Sequence, residues 1–282
     1  MRATVITHRR PDDTAGALAA LLDAARESGC TLRFDPEETR KHGLRPAEGL
    51  ELEAPMGHDV DLCVVLGGDG SILTALRHYA GTTVPTFAVN FGELGFLATI
   101  EPEEAAGGFR RAFAGEFERL MLPTIGLGSQ DGAPQAINDV SVHRKPGARV
   151  AQLAYAVGAQ EIGRVRCDGV VVSTPAGSTG YNLANGGPVM AWGVEGMAVS
   201  FIAPHSLTAR ALVAAPGDVL TVSNRSREEP VEVAIDGRPM REVAPGASVD
   251  LRFQLDRACL AQVPGSTFYG RLREKFGRLT GL

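Results

Sequence analysis

Cysteine is scarce in this chain. Four thiols (Cys30, Cys63, Cys167 and Cys259) stand far apart among 282 residues, with no CxxC pair. That scatter excludes a disulfide scaffold and a zinc cluster, and implies buried free thiols in a reducing compartment. The six histidines lack ligand spacing such as HExxH, so no residue is assigned to a metal. No apolar run approaches the ~18 residues of a membrane span. The opening Met1-Arg2-Ala3-Thr4-Val5-Ile6 lacks the long apolar region and cleavage site of a signal peptide. A cytoplasmic location with no membrane partner is therefore expected. Positive charge is not in excess either: 28 Lys and Arg against 33 Asp and Glu give a net charge of −5. This excludes a broad basic surface for nucleic acid while allowing a local basic pocket. Repeats and low-complexity tracts are absent.

The length suggests two domains, at ~100–200 residues each, and 44% hydrophobic residues suffice for sizeable cores. The patterning changes near residue 115. Before it, strand-like runs (3–7, 32–34, 61–66, 84–89) alternate with helical spacing (15–26, 71–79, 102–117), and Asp12 or Asp13 is a candidate cap for the first helix. Alternation of this kind predicts a Rossmann-like parallel sheet flanked by helices over residues 1–115. From 116 to 265 short strands dominate (120–127, 135–143, 151–157, 169–174, 197–203, 219–223, 231–235, 248–253, 258–263). They are separated by turns such as Ser129-Gln130-Asp131-Gly132, which predicts a layered antiparallel β domain. Residues 267–279 (Phe268, Leu272, Phe276, Leu279) read as a basic amphipathic helix. It either returns to the first domain or caps the second.

Two glycine-rich segments carry the chemistry. In Leu66-Gly67-Gly68-Asp69-Gly70-Ser71 a buried strand empties into a turn, and a helical pattern follows. Glycine lets backbone approach a bulky anion, and the free N–H groups of a helix start favour phosphate. A carboxylate among phosphate-binding amides suits handling of a hydroxyl proton or a metal ion; a plain βα turn with Asp69 as N-cap is the simpler alternative. Next to a helix N-terminus, Asp69 is expected to have a lowered pKa. The second segment runs from Cys167 to Asn182, a strand followed by Thr174-Pro175-Ala176-Gly177-Ser178-Thr179-Gly180-Tyr181. Its hydroxyls and amides suit phosphate or ribose, with Tyr181 offering a ring to stack; an idle solvent loop is the alternative. The Asn185-Gly186-Gly187-Pro188 that follows makes an idle loop unusually long. Asn138-Asp139 interrupts an apolar strand pattern, and Asn there can read a base edge while Asp accepts from sugar hydroxyls. His205 follows a buried strand. Asp236-Gly237 reads as a plain hairpin turn that means nothing alone.

Together these motifs resemble the bacterial NAD kinases: GGDG at Gly67–Gly70, NFGELGFL at Asn90–Leu97, Asn138-Asp139, DGVVVSTPAGSTGYNLANGGP at Asp168–Pro188, PHSLTAR at Pro204–Arg210 and DGR at Asp236–Arg238. Order and spacing agree from about Val60 to Arg238. The resemblance implies an α/β N-terminal domain, a β-rich C-terminal domain and a final helix (266–282) packing back on the first. It implies phosphoryl transfer from ATP or polyphosphate to the 2′-hydroxyl of the adenosine ribose of NAD, giving NADP, with a divalent cation, Mg²⁺. It implies Asp69 as catalytic base and Gly67, Gly68 and Gly70 as the phosphate-donor turn. For NAD it implies contacts from Asp69, Gly70, Asn138, Asp139, Arg149, Arg166, Asp168, Ala176, Thr179, Gly180, Tyr181, Asn182, Leu183, Ala184, Ala203 and Arg238. It also implies a homodimer or homotetramer.

This chain departs from the family pattern at three places. Ala184 lacks a hydroxyl, Asp139 stands for the commoner Glu, and Arg238 for the commoner Gln. Two other activities compete: a lipid kinase with the same GGDG turn, and a silent NAD(P)-binding regulator. The first needs an acyl channel, whereas TPAGSTGY with Asn138-Asp139 suits a dinucleotide; retention of Asp69 argues against the second.

Overall fold

The computed structural model describes residues 1–93, 95–128 and 133–280, with side chains as far as Gly277. The turn expected at Ser129–Gly132, Leu94 of the NFGELGFL segment and the side chain of Leu279 lie outside the described residues. Two units divide the chain, residues 1–121 with 258–282, and residues 122–257.

The first unit is built on parallel strands. Their spatial order is Pro85–Asn90, Leu62–Gly67, Arg2–Thr7, Thr31–Arg33 and Leu50–Glu51. Register is set by pairs such as Ala3↔Leu62 and Val64↔Phe87. Cys259 and Leu260 add a further parallel pairing to Pro85 and Thr86. Leu62–Gly67 is buried throughout, as a strand covered on both faces requires. The chain leaves Arg2–Thr7 toward one side of the sheet and later returns to its other side with Leu62–Gly67. The carboxyl ends of these two strands therefore flank a topological switch point, where open α/β sheets bind ligands.

Helix Pro11–Ser28 buries Leu18, Leu21, Ala24 and Ala25 on one stripe and ends at Gly29, whose φ of 65° only glycine takes cheaply. Its cap differs from expectation. Arg10 is the N-cap and Pro11 opens the helix, so Asp12 and Asp13 fall in the first turn, where they complement the dipole. The expected helix 102–117 is shorter: a 3₁₀ turn at Pro102–Glu104 precedes Ala105–Phe113. Gly108 belongs to its packing, because a Cβ there would lie 2.3 Å from Ile100 Cδ1.

The second unit carries a six-stranded antiparallel sheet. Its order is Leu212–Ala214, Met197–Ile202, Gly169–Ser173, Asp139–Arg144, Val231–Ile235 and Arg238–Val243. Strands Gln160–Cys167, Ala151–Val157 and Val219–Asn224, followed by residues 248–252, form another antiparallel array. Both arrays contribute to one apolar core, with Val140, Val142, Val170 and Val199 from the first and Leu153, Leu220, Val222 and Leu251 from the second.

Among the described residues four strands have no counterpart in the apolar pattern: Leu50–Glu51, Gln160–Cys167, Leu212–Ala214 and Arg238–Val243. Each lies at a sheet edge; two are only two or three residues long, and the longer Gln160–Cys167 and Arg238–Val243 are mostly exposed and polar, the ways proteins protect sheet edges. Two separately expected strands, 248–253 and 258–263, are one strand, Ser248–Gln262, which passes through Asp256 at φ 52°. All four cysteines are buried and free.

Candidate active site

In the first unit, Leu62–Gly67 delivers the chain to Gly68, the N-cap of helix Asp69–His78. Asp69 is thus the first helical residue and not the cap. The glycines are not equivalent. A Cβ on Gly67 would meet Ser71 at 2.7 Å, and one on Gly68 would come within 3.1 Å of Gly92 Cα, where two backbones pass closely. A Cβ on Gly70 would meet no atom within 4 Å beyond its own helix turn, so packing alone does not require glycine there.

The half-buried Asp69 carboxylate accepts two amide hydrogens. Phe96 N–H donates to Oδ2 at 3.3 Å and Leu97 N–H to Oδ1 at 3.2 Å. Burial raises its proton affinity above the ordinary carboxylate value. The two amides, and the charges of Lys275 and Arg271, oppose this without cancelling it. The lowered value expected from the helix terminus is therefore corrected: loss of water on burial outweighs the two amides and the nearby cations.

In the second unit the expected strand 135–143 breaks at Ile137 and Asn138, between Gln135–Ala136 and Asp139–Arg144. The break is held by Asp236. Asp236 and Gly237 form a two-residue hairpin turn with φ of 45° and 74°, the type I′ signature. The Asp236 carboxylate accepts from three successive amides, Ile137 (3.2 Å), Asn138 (2.8 Å) and Asp139 (3.2 Å). Register Ile235↔Val140 brings this turn alongside. A dipeptide that reads as a bare turn is therefore a structural brace of the site. Its DG signature showed the turn, but only strand pairing shows what the carboxylate holds.

The same break is stitched to the second glycine-rich loop. Thr174 Oγ1 donates to Ile137 O at 2.6 Å, Thr174 N–H to Asn138 O at 2.9 Å, and Ser173 Oγ to Asn138 O at 3.2 Å. Gly177 lies so close that a Cβ would fall 2.2 Å from Asn138 O. Asn138 Oδ1 is buried with no hydrogen-bond partner. Asp139 is 7% exposed; burial first, and the Asp236 charge second, push its carboxyl up to about 7.

The loop continues as a 3₁₀ turn, Ala176–Thr179, and a short helix, Tyr181–Ala184. Ala176 is buried, Thr179 and Leu183 are half-buried, and Gly180, Tyr181 and Ala184 are exposed. Burial, then the charges of Asp139 and Asp168, raise the Tyr181 hydroxyl's proton affinity. Asn182 is fully buried. Its amide donates to Ser178 O (3.1 Å) and Pro188 O (2.9 Å) and so pins the loop.

Asp168 is gripped by Arg144 through two hydrogen bonds, 2.6 and 3.1 Å, which hold its carboxyl below the usual range. Arg144 had no signal in the sequence. Arg149 and Arg166 are exposed and line, with Arg144, Gln152 and Glu229, a groove of about 820 Å³. Ala203 is exposed at φ 43° just past Met197–Ile202, and Arg238 is exposed at the start of its edge strand. The second unit thus brings Asn138, Asp139 and Ala176 into one stitched cluster and groups Arg149, Arg166 and Asp168 around Arg144.

Comparison with known proteins bears on this arrangement. A model of the ATP-NAD kinase N-terminal domain matches residues 18–117, and one of the ATP-NAD kinase C-terminal domain matches residues 137–254. The NAD kinase of Gemmatimonas aurantiaca is 34% identical over 284 residues, covering 98% of this chain and 96% of the relative. The chain belongs to the NAD kinase family. The NAD kinase of Symbiobacterium thermophilum is also 34% identical, covering 90% of this chain and 91% of that protein. Among solved structures, yeast NADH kinase complexed with NADH gives a TM-score of 0.85 at 21% identity, covering 100% of this chain and 88% of that one. An NAD kinase from Archaeoglobus fulgidus in complex with ATP gives 0.75 at 24% identity, covering both chains fully. These likenesses establish a shared fold. It comprises a mostly parallel α/β N-terminal part and an antiparallel β-rich C-terminal part, as the sequence patterning implies.

Proposed function

We propose that this protein is an NAD kinase, transferring the terminal phosphoryl group of ATP, or of polyphosphate, to the 2′-hydroxyl of the adenosine ribose of NAD. The observation that carries this reading is the Asp69 carboxylate, placed at a helix start behind a GGDG turn in a chain of this family. A ribose hydroxyl is a poor nucleophile at neutral pH. As its oxygen bonds to phosphorus and the donor's bridging P–O bond breaks, the hydroxyl proton passes to Asp69. The raised proton affinity of Asp69 makes it a better acceptor than an ordinary surface carboxylate. The remainder of the barrier is lowered by positioning. Gly70, exposed in the first turn of its helix, is suited to present its amide to a phosphate oxygen.

In the second unit the unpartnered Asn138 Oδ1 is an acceptor suited to the adenine amino group. Asp139 is suited to a sugar hydroxyl, and the exposed Tyr181 ring to stacking. Ala176, Thr179, Gly180, Leu183 and Ala184 shape the loop, with Asn182 fixing it from inside. Asp168, Arg149, Arg166, Ala203 and Arg238 complete the NAD contacts. A divalent cation, Mg²⁺, accompanies the donor and neutralises phosphate charge when bound. Among the described residues no three His, Cys, Asp or Glu side chains converge, and Mg²⁺ is commonly held by water and substrate phosphates. No described helix is long and apolar enough to cross a membrane. We further place the enzyme in the cytoplasm as a homodimer or homotetramer.

The test is a matrix of ATP or polyphosphate against NAD or NADH, with wild type and Asp69→Asn. NADP formation is expected from wild type. Asp69→Asn is expected to lose at least ~10²-fold in turnover, the low end for removal of a general base, with NAD affinity little changed. Near-normal turnover in that variant removes Asp69 from the chemistry.

A further inference from the structure

We propose that Arg271, on the C-terminal helix Phe268–Thr280, is a positioning residue for Asp69 that acts through the single peptide group joining Phe96 to Leu97. This rests on the reading of Asp69 as the base. The NFGELGFL segment supplies the link. The Arg271 guanidinium donates from Nη1 to Phe96 O at 3.2 Å, and Leu97 N–H donates to Asp69 Oδ1 at 3.2 Å. That carbonyl and that N–H belong to the same planar, resonance-coupled unit. A cation on the oxygen draws electron density from the nitrogen, so the N–H becomes a stronger donor to the carboxylate. The plane also fixes direction: holding the oxygen aims the hydrogen.

Arg271 is itself immobilised. Nη1 also reaches Ala98 O, Nη2 donates to Gln262 Oε1 at 2.6 Å, and Nε to Ser266 Oγ at 3.3 Å. Gln262 is 4% exposed. The segment has little freedom to avoid this grip. Gly95 sits at φ 61°, where a Cβ would fall 2.4 Å from Asn90 Nδ2. Asn90 accepts from Gly92 N–H at 3.0 Å and donates to Glu101 at 3.0 Å, and Glu101 pairs with the buried Lys275 at 2.7 Å. One helix therefore braces the segment twice, four residues apart, at Arg271 and Lys275.

The charged groups acting on Asp69 are Lys275 and Arg271, both favouring its ionised form. Burial in turn lowers the proton affinity of Arg271, and the charges of Glu274, Asp69 and Glu101 oppose this without cancelling it. Removing the guanidinium therefore favours protonation of Asp69 and moves the acid limb of the rate profile to higher pH. We expect Arg271→Met to lose at least ~5-fold in kcat/KM on the acid limb of the wild-type profile and less than about twofold on its alkaline plateau, with KM for NAD nearly unchanged. Arg271→Lys, which keeps a cation, is expected to recover part of the acid-side loss.

Two direct readouts accompany the kinetics: the Leu97 amide resonance and the ¹³C titration of the Asp69 carboxyl in the free enzyme. A purely structural Arg271 lowers the melting temperature while leaving the rate profile and both resonances superimposable on wild type; that result overturns the proposal. Should Arg271→Met not fold, the same measurements on Arg271→Lys decide it, an unmoved Leu97 amide being the refuting outcome. Failure of the underlying reading is distinguishable, because Asp69→Asn alone would then retain turnover, and Arg271 would have no base to position.

Discussion

Asp139→Asn should make the protein more stable while making it a poorer enzyme, and the gain should depend on pH. Asp139 opens the strand Asp139–Arg144 at 7% exposure, with its carboxyl pushed from an ordinary value of 3.8 to about 7 by burial and by the charge of Asp236. A folded-state value above the unfolded one means that the native state prefers the protonated form. The associated stability is fully present below about 3.8 and is lost as pH rises through about 7. Across that window the wild type comes to carry a buried negative charge costing on the order of 4 kcal/mol. Asn has nearly the same shape and no charge to bury. Urea unfolding, followed by the one tryptophan (Trp192, in the same unit), measures the difference. At about pH 8.5 the variant should exceed wild type by on the order of 3–4 kcal/mol, with the gap closing by about pH 4. A pH-independent difference, or a variant less stable than wild type at alkaline pH, would refute the reasoning. The accompanying rise in KM for NAD would show that the strain serves binding, a trade found where sites carry destabilising groups.

The glycines give two contrasting expectations. Gly177→Ala places a Cβ 2.2 Å from Asn138 O, a backbone atom held by Thr174 and Ser173. It should cost at least ~2 kcal/mol in unfolding free energy and raise KM for NAD by displacing Asn138; wild-type melting and KM together would contradict that packing. Gly70→Ala meets no atom within 4 Å and lies in a helix. It should melt at or slightly above the wild-type temperature, by up to ~0.5 kcal/mol in stability, yet bind the phosphate donor more weakly. Unchanged KM for ATP would remove Gly70 from the donor turn.

The local patterns of the chain were largely readable. Alternating apolar runs showed a parallel α/β part followed by an antiparallel β part, because buried strands must be apolar and helices must show a stripe. Leu62–Gly67, Val231–Ile235 and Ala151–Val157 fall within a residue of their expected limits. What escaped is instructive. Gln160–Cys167 and Arg238–Val243 are edge strands whose outward charges hide their periodicity. The cap of the first helix was misplaced because Pro11, which fixes its own φ, starts the helix ahead of the acidic pair.

Around the candidate site the sequence itself supplied the glycine turns, the Asn138-Asp139 pair and the loop that follows Val170–Val172, since close backbone approach and small hydroxyls restrict residue type. It did not supply the supports. Asp236 reaches three amides about a hundred positions away, Arg144 clamps Asp168, and Arg271 grips a carbonyl 175 residues distant. Nor did it decide the proton affinity of Asp69. The helix start argues for a low value, and only the degree of burial, a property of the assembled fold, turns the balance upward. Residue identity fixes which groups can donate, accept or titrate; which of them lose water, and to what partners, is settled when distant segments pack.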